Sequence, residues 1–144
     1  MAGRRELGEV LLERWVPPID ESNAFFWHSG ADGQLRMLRC GACGYITHPV
    51  GPRCVNCLSA DLAPGVMCGT GRVATFTVNH HQWVKGQPPY IIAIVELDDQ
   101  VGLRIQTNLI RVDDEEIELD MPVKVVFEEG PDGVWFPLFA PVDR

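Results

Sequence analysis

Positive charge is scarce in this chain. Twelve Lys and Arg stand against 20 Asp and Glu in 144 residues, giving a net charge of -8. A protein that tracks a nucleic-acid backbone neutralises it with clustered Lys and Arg, so this balance argues against duplex binding. Long apolar runs are missing as well. None approaches the length that crosses a bilayer. The opening "MAGRRELGEVLLERWVPP" carries charges where the apolar centre of a secretory signal would sit. The expectation from these absences is a cytoplasmic protein with no membrane partner. No Ser/His/Asp or Cys/His set can be argued from spacing, so no catalytic residue is expected. What is present is 46% hydrophobic residues, enough for a packed core, with 14 Gly and 11 Pro. Those counts favour turn-rich β structure over a helical bundle.

Four of the five cysteines fall within "RCGACGYITHPVGPRCVNC". Cys40, Cys43, Cys54 and Cys57 form C-x2-C-x10-C-x2-C. Thiols of a reducing compartment hold metal more often than they pair. Each Cys-x-x-Cys can fold a tight knuckle that turns both sulfurs to one point. The intervening loop is long enough to bring the second knuckle opposite the first. Gly41, Gly44 and Asn56 are the residues expected to relieve the backbone there. The spacing predicts a tetrahedral four-thiolate site with no open position, hence a structural metal. Zinc is the expected ion. Iron in a rubredoxin-like site uses the same ligands. Cys68, in "GVMCGTG", reads as a small buried hydrophobe rather than a nucleophile.

Apolar periodicity predicts a helix over residues 7–15, ended by Pro17 and Pro18, and a second over "DESNAFFWHSG". Asp20 or Ser22 would cap the second and Gly30 would stop it. "QLRMLRC" and "YITHP" read as strands flanking the first knuckle. From Gly69 the texture changes. "GRVATFTVNHH", "PYIIAIVEL", "VGLRIQTNLI", "MPVKVVFEE" and "VWFPLFAP" read as five strands. The second of them is apolar enough to suggest burial on both faces, and the third alternates Val101, Leu103 and Ile105 against Gly102, Arg104 and Gln106. "RVDDEEIELD" is a solvated acidic connection with one helical turn. The expected fold is mainly β: N-terminal helices (1–33), a rubredoxin-like zinc ribbon (34–66), then a five-stranded OB-fold barrel (67–144).

Five stretches carry a family resemblance: "FFWHSGADGQLRMLRCGACG", "HPVGPRCVNC", "GTGRVATFTVNH", "PPYIIAIVEL" and "MPVKVVFEE". The chain resembles the small zinc-ribbon/OB-fold proteins that accompany thiolase-like enzymes of acyl-CoA metabolism, a family first catalogued as a domain of unknown function. The resemblance implies a non-catalytic accessory subunit. It would bind and stabilise a thiolase-like partner, with two copies of each chain, and help shape the channel for the CoA thioester. The partner would carry the chemistry, either thiolase or synthase acyl transfer or the retro-aldol cleavage of steroid side-chain breakdown.

Two groups of residues are candidates for partner or CoA contact. Phe25, Phe26 and Trp27 are consecutive, so they cannot all lie on one helix face, and aromatics anchor interfaces. The loop "NHHQWVKGQPPY" offers His80, His81, Trp83, Lys85 and Tyr90. The alternative reading is a single-stranded nucleic-acid module, since OB barrels often bind oligonucleotides. Such modules pair aromatic platforms with a basic groove, and one lysine with two histidines is a thin basic set.

Overall fold

The computed structural model describes residues 14–143. The helix expected over 7–15 therefore lies outside the described residues except at its end, where Arg14 and Trp15 run in irregular chain. The second helix is shorter than its sequence suggested. Helix α1 is Ala24–Trp27, and a 3₁₀ turn, Ser29–Asp32, follows it. Asp20 opens the segment through its side chain. Its Oδ1 accepts from the Ser22 N–H at 2.8 Å and from the Ser22 hydroxyl at 2.6 Å, a local bond that favours a turn over further helix. The stop is Gly33, at φ +80, and not Gly30. Gly30 serves close approach instead. A Cβ there would stand 2.6 Å from the Trp135 Cβ and would collide with the Phe127 ring.

Three antiparallel strands form the ribbon in the order β2-β1-β3: β1 Arg36–Cys40, β2 Ile46–Thr47 and β3 Leu62–Val66. Strand β3 was not expected from sequence, because "LAPGV" holds a proline and a glycine. Pro64 is tolerated because β3 is an edge strand. The remaining strands are β4 Thr70–Asn79, β5 Tyr90–Leu97, β6 Arg104–Leu109, β7 Pro122–Glu129 and β8 Trp135–Pro141. They close a barrel in the order β4-β5-β6-β8-β7, with β7 returning to β4. This is the expected five-stranded OB-fold. A bulge between Val73 and Thr75 lets the long β4 coil around the barrel. The acidic link carries one 3₁₀ turn, Asp114–Glu116. Strand β6 begins later than its alternation suggested, and Val101 is 91% exposed in the turn before it.

Two-sided burial belongs to β8, not to β5. Alternate residues of β5 are buried, while Tyr90, Ile92 and Ile94 are only half-buried. Every residue of β8 after Trp135 is buried. Its outer side chains, among them Phe136 and Leu138, pack with Ile19 and Trp27 of the entry segment. The sequence pattern of β5 misled because an outward Ile looks the same whether or not something covers it.

Ribbon and barrel share one core. Leu35, Met37, Ile46 and Met67 belong to the same packed cluster as Val95, Ile105 and Phe139. Gln100, in the β5–β6 turn, adds a two-way clamp. Its side-chain oxygen accepts from the Ile46 N–H at 2.9 Å, and its Nε2 donates to the Ile46 carbonyl at 2.9 Å.

The barrel also has a seam. Strands β6 and β8 pair, in parallel, only at Leu109–Phe139. Arg14 lies at this seam. Its Nε donates to Glu128 at 2.9 Å and its Nη1 to Asn108 Oδ1 at 2.6 Å. The guanidinium also lies 5.3 Å from the Phe136 ring centre. Glu128 is 1% exposed. Burial lowers the Arg14 pKa, and the Glu128 carboxylate beside it opposes that.

Candidate functional site

The four cysteine sulfurs converge. All lie within 4.8 Å of one another. The Cys40–Cys57 and Cys43–Cys54 pairs are each 3.6 Å apart. Four sulfurs at about 2.3 Å from one ion would be about 3.8 Å from each other, so the donors are spaced as a tetrahedral thiolate site requires. Disulfides would bring paired sulfurs to about 2.05 Å, and all five cysteines are free.

The two knuckles are near copies. Gly44 N–H donates to the Cys40 carbonyl at 2.9 Å, and Leu58 N–H donates to the Cys54 carbonyl at 2.9 Å. Cys40 N–H then closes on Tyr45 and Cys54 N–H on Ser59. Both turns need a left-handed residue four positions after the first cysteine. Gly44 supplies it at φ +80 and Leu58 at φ +66. Asn56 was expected in that role and has another. Its N–H donates to Cys54 Sγ at 3.3 Å and its Nδ2 to Cys43 Sγ at 3.5 Å. Gly41 also differs from expectation, since its φ is not positive. A side chain there would collide with Asp61.

These donors favour thiolates at some positions and the crowding opposes them at others. The Asn56 amide, then the Tyr45 N–H, pull Cys43 down to about 6. Backbone donors at Cys43 and Ala42 lower Cys40. At Cys57 the Ser59 N–H also pulls down, but the thiols of Cys40, Cys43 and Cys54 outweigh it and push the group up to about 12. Four negative sulfurs this close repel one another, and a bound cation is what removes that penalty. The residues therefore fit a structural metal held by Cys40, Cys43, Cys54 and Cys57.

Cys68 is exposed, which corrects the expectation of a buried hydrophobe. Its thiol donates to Asp99 Oδ1 at 3.1 Å, and its N–H donates to Asp99 Oδ2 at 3.0 Å.

The aromatic triplet faces inward more than outward. Phe26 is buried, with its ring 4.9 Å from His48 and 5.0 Å from Trp27. Trp27 also meets Phe136 at 6.2 Å. Phe25 and Trp27 are half-buried and pack on the core. Phe26 wedges the ribbon loop against the barrel and also lines the hollow beside the seam.

The expected contact loop is assembled on the outside. His80 and His81 follow β4 in irregular chain and are exposed. His81 sits edge-on to Trp83 at 4.5 Å. Trp83 is 69% exposed, Lys85 lies at the loop tip, and Tyr90 starts β5 half-buried. Trp83 and Tyr90 line a hollow of about 450 Å³ together with Trp15. A larger hollow of about 610 Å³ runs between the entry segment, the His48–Val50 loop and the seam. Sequence reasoning missed Gln100, Arg14 and Glu128. Arg14 and Glu128 are 114 positions apart, and no local pattern connects them. Among the described residues no helix is long and apolar enough to cross a membrane.

Comparison with known proteins agrees with this architecture. Residues 27–63 match the rubredoxin-like zinc ribbon domain of ChsH2, and residues 66–128 match the C-terminal OB-fold domain of ChsH2. A solved structure of an "Ltp2-ChsH2(DUF35) aldolase" contains a chain 35% identical to this one. The two superpose with a TM-score of 0.78 over 88% of this chain and 98% of that chain. A "DUF35 domain-containing scaffold protein" of Methanocaldococcus jannaschii is 33% identical, across 67% of this chain and 72% of that protein. The 3-oxo-4,17-pregnadiene-20-carboxyl-CoA hydratase alpha subunit of Mycobacterium tuberculosis is 32% identical over 117 residues. A "Probable enoyl-CoA hydratase alpha subunit" of Thermomonospora curvata is 36% identical over 126 residues. The chain spans only 37% and 39% of these two hydratase subunits.

Proposed function

Because the chain belongs to the DUF35 family of ChsH2-type zinc-ribbon and OB-fold proteins, we propose that it is a non-catalytic accessory subunit of a thiolase-like enzyme acting on acyl-CoA thioesters. The observation that carries this reading is the likeness to nearly the whole of a ChsH2 chain found in an aldolase with Ltp2. Four protein ligands would close the metal site, so its role is to stiffen the ribbon and not to meet substrate. Zinc is the ion proposed, in keeping with the ribbon family that residues 27–63 match. The partner would supply the reacting groups, for carbon–carbon cleavage or for acyl transfer. This chain would stabilise it, as two copies with two of the partner, and border the path of the CoA thioester. The net charge of -8 weighs against a nucleic-acid role.

Coexpression with the thiolase-like protein encoded in the same genome tests the reading. The expected result is a complex of defined stoichiometry with one zinc per copy of this chain. A chain that stays alone beside every such protein, or that turns over acyl-CoA unaided, would overturn it.

A further inference from the structure

Residues 14–23 lead into the fold as irregular chain and a turn. Among the described residues this stretch has no backbone–backbone hydrogen bond to any strand. Its backbone bonds run from Asn23 and Ala24 back to Asp20. Its side-chain bonds near the turn also close on themselves. Asp20 N–H donates to Asn23 Oδ1 at 2.9 Å, and Asn23 Nδ2 donates to the Pro18 carbonyl at 3.1 Å. Pro17 and Pro18 fix two φ angles. The stretch is braced internally, so it can swing as one piece. Two of its side chains fasten it to the barrel. Ile19 packs on a small cluster that includes Ile110, Phe136 and Leu138 and is separate from the main core. Arg14 reaches Asn108 on β6 and Glu128 on β7, across the seam where β6 and β8 pair only once.

The ionic fastening is a poor one. The side chains of Glu128 and Arg14 are 1% and 13% exposed, so both charges have left water. They share one hydrogen bond, and Glu128 Oε1 and Arg14 Nη2, both buried, find no partner among the described residues. Burial lowers the Arg14 pKa by more than Glu128 raises it, so the guanidinium is less well stabilised here than in water. A buried pair with unmatched polar atoms does not repay its desolvation.

We infer that residues 14–23 form a strap, buckled by Arg14 on Glu128, that opens as a unit while the barrel stays folded. Opening returns the guanidinium to water and uncovers Glu128 and the outer side of β8 at Phe136. The main core is spared, because Ile19 packs on the smaller cluster and not on it. The seam is therefore a switchable face, covered when the buckle is closed and bare when it is open. This device stands independently of the accessory role proposed above.

Trypsin reads the strap in the full chain, because the Arg14–Trp15 bond can be cut only when the Arg14 side chain has left its buried place. Cleavage there should show a shallower urea dependence than global unfolding. Glu128→Gln keeps Arg14 but removes its charge partner, and should quicken that cut by about tenfold or more. The Ile110 amide, bonded to the Phe139 carbonyl at the seam, should exchange faster in this variant while the β4 and β5 amides stay protected. Arg14→Met combined with Glu128→Leu exchanges the pair for apolar groups, and should leave Ile110 exchanging no faster than in the parent. A cut that tracks global unfolding, or that Glu128→Gln changes by less than about twofold, would overturn the strap. So would loss of β4 and β5 protection together with Ile110 in Glu128→Gln, or faster Ile110 exchange in the double variant.

Discussion

Replacing Gln100 by Ala should loosen the join between ribbon and barrel. Gln100 makes two hydrogen bonds of 2.9 Å, one to each backbone group of Ile46. Ile46 is 4% exposed, and it sits in the two-residue strand β2, next to the loop that carries the second knuckle. A net contribution of about 0.5–1.5 kcal/mol per bond gives about 1–3 kcal/mol for the pair. Stranding a buried N–H and C=O would add more. Gln100 is half-buried, so water entering the vacated space offsets part of that addition. The expected loss is about 2–3 kcal/mol, which for a domain of this size is a fall of about 4–12 °C in Tm. Gln100→Glu should do no better at neutral pH. A carboxylate can accept from the Ile46 N–H but cannot donate to the Ile46 carbonyl, and would turn a negative oxygen toward it. Denaturant titration gives the global change, and hydrogen exchange at the Ile46 amide gives the local one. A Gln100→Ala protein within about 0.3 kcal/mol of the parent, with Ile46 still protected, would refute the clamp.

Other perturbations probe the remaining joints. Cys54→Ser removes one of four converging donors; elemental analysis should show the metal lost, and the ribbon amides should exchange rapidly while full metal retention would contradict the site. Gly30→Ala places a methyl against Trp135 and Phe127 and should cost about 2–3 kcal/mol by overpacking, a prediction that fails if denaturation midpoints match. Leu58 is 68% exposed at φ +66, where Gly44 occupies the equivalent turn. Leu58→Gly relieves about 1–2 kcal/mol of left-handed strain against about 0.5–1 kcal/mol of added chain entropy. The variant should therefore match or exceed the parent by up to about 1.5 kcal/mol, and clear destabilisation in denaturant would show that the leucine packs. His48 is pushed down to about 4 by burial. The folded chain then binds fewer protons than the unfolded one between about pH 6.5 and 4, so stability falls as pH drops through that window. His48→Phe should remove up to about 1 kcal/mol of the loss between pH 7 and 5.5, and equal slopes for both proteins would show that burial does not set this titration.

The parts legible in the sequence were those written in short range. The Cys-x-x-Cys pairs announce a metal because each knuckle is complete within five residues. The barrel strands announce themselves through alternation and through turns such as "GPDG", which forms the 3₁₀ turn Pro131–Gly133. What could not be read was long-range or depended on cover. The strand β3 hid behind its Pro64 and Gly65, which an edge position tolerates. The two-sided burial of β8 depends on Ile19 and Trp27, more than a hundred residues earlier, folding across it. Gln100 looked like any polar turn residue, and its partner lies 54 positions away. Leu58 was missed because left-handed geometry was sought at a residue type that tolerates it, Asn56, when the turn imposes it on whichever residue stands fourth.

The same structure shows how the cysteines and aromatics of the described residues are engaged. Four thiols face one another. The fifth is bonded to Asp99. Phe26 and Trp27 pack on the core where the ribbon meets the barrel, and Gln100 clamps the same join through Ile46. A chain fastened at so many points gains a fixed shape. Trp15, Trp83, Tyr90 and Ile92 line hollows along one side of β5 and β6. A rigid frame that leaves two tryptophans in water loses hydrophobic stabilisation it could have had by folding them in.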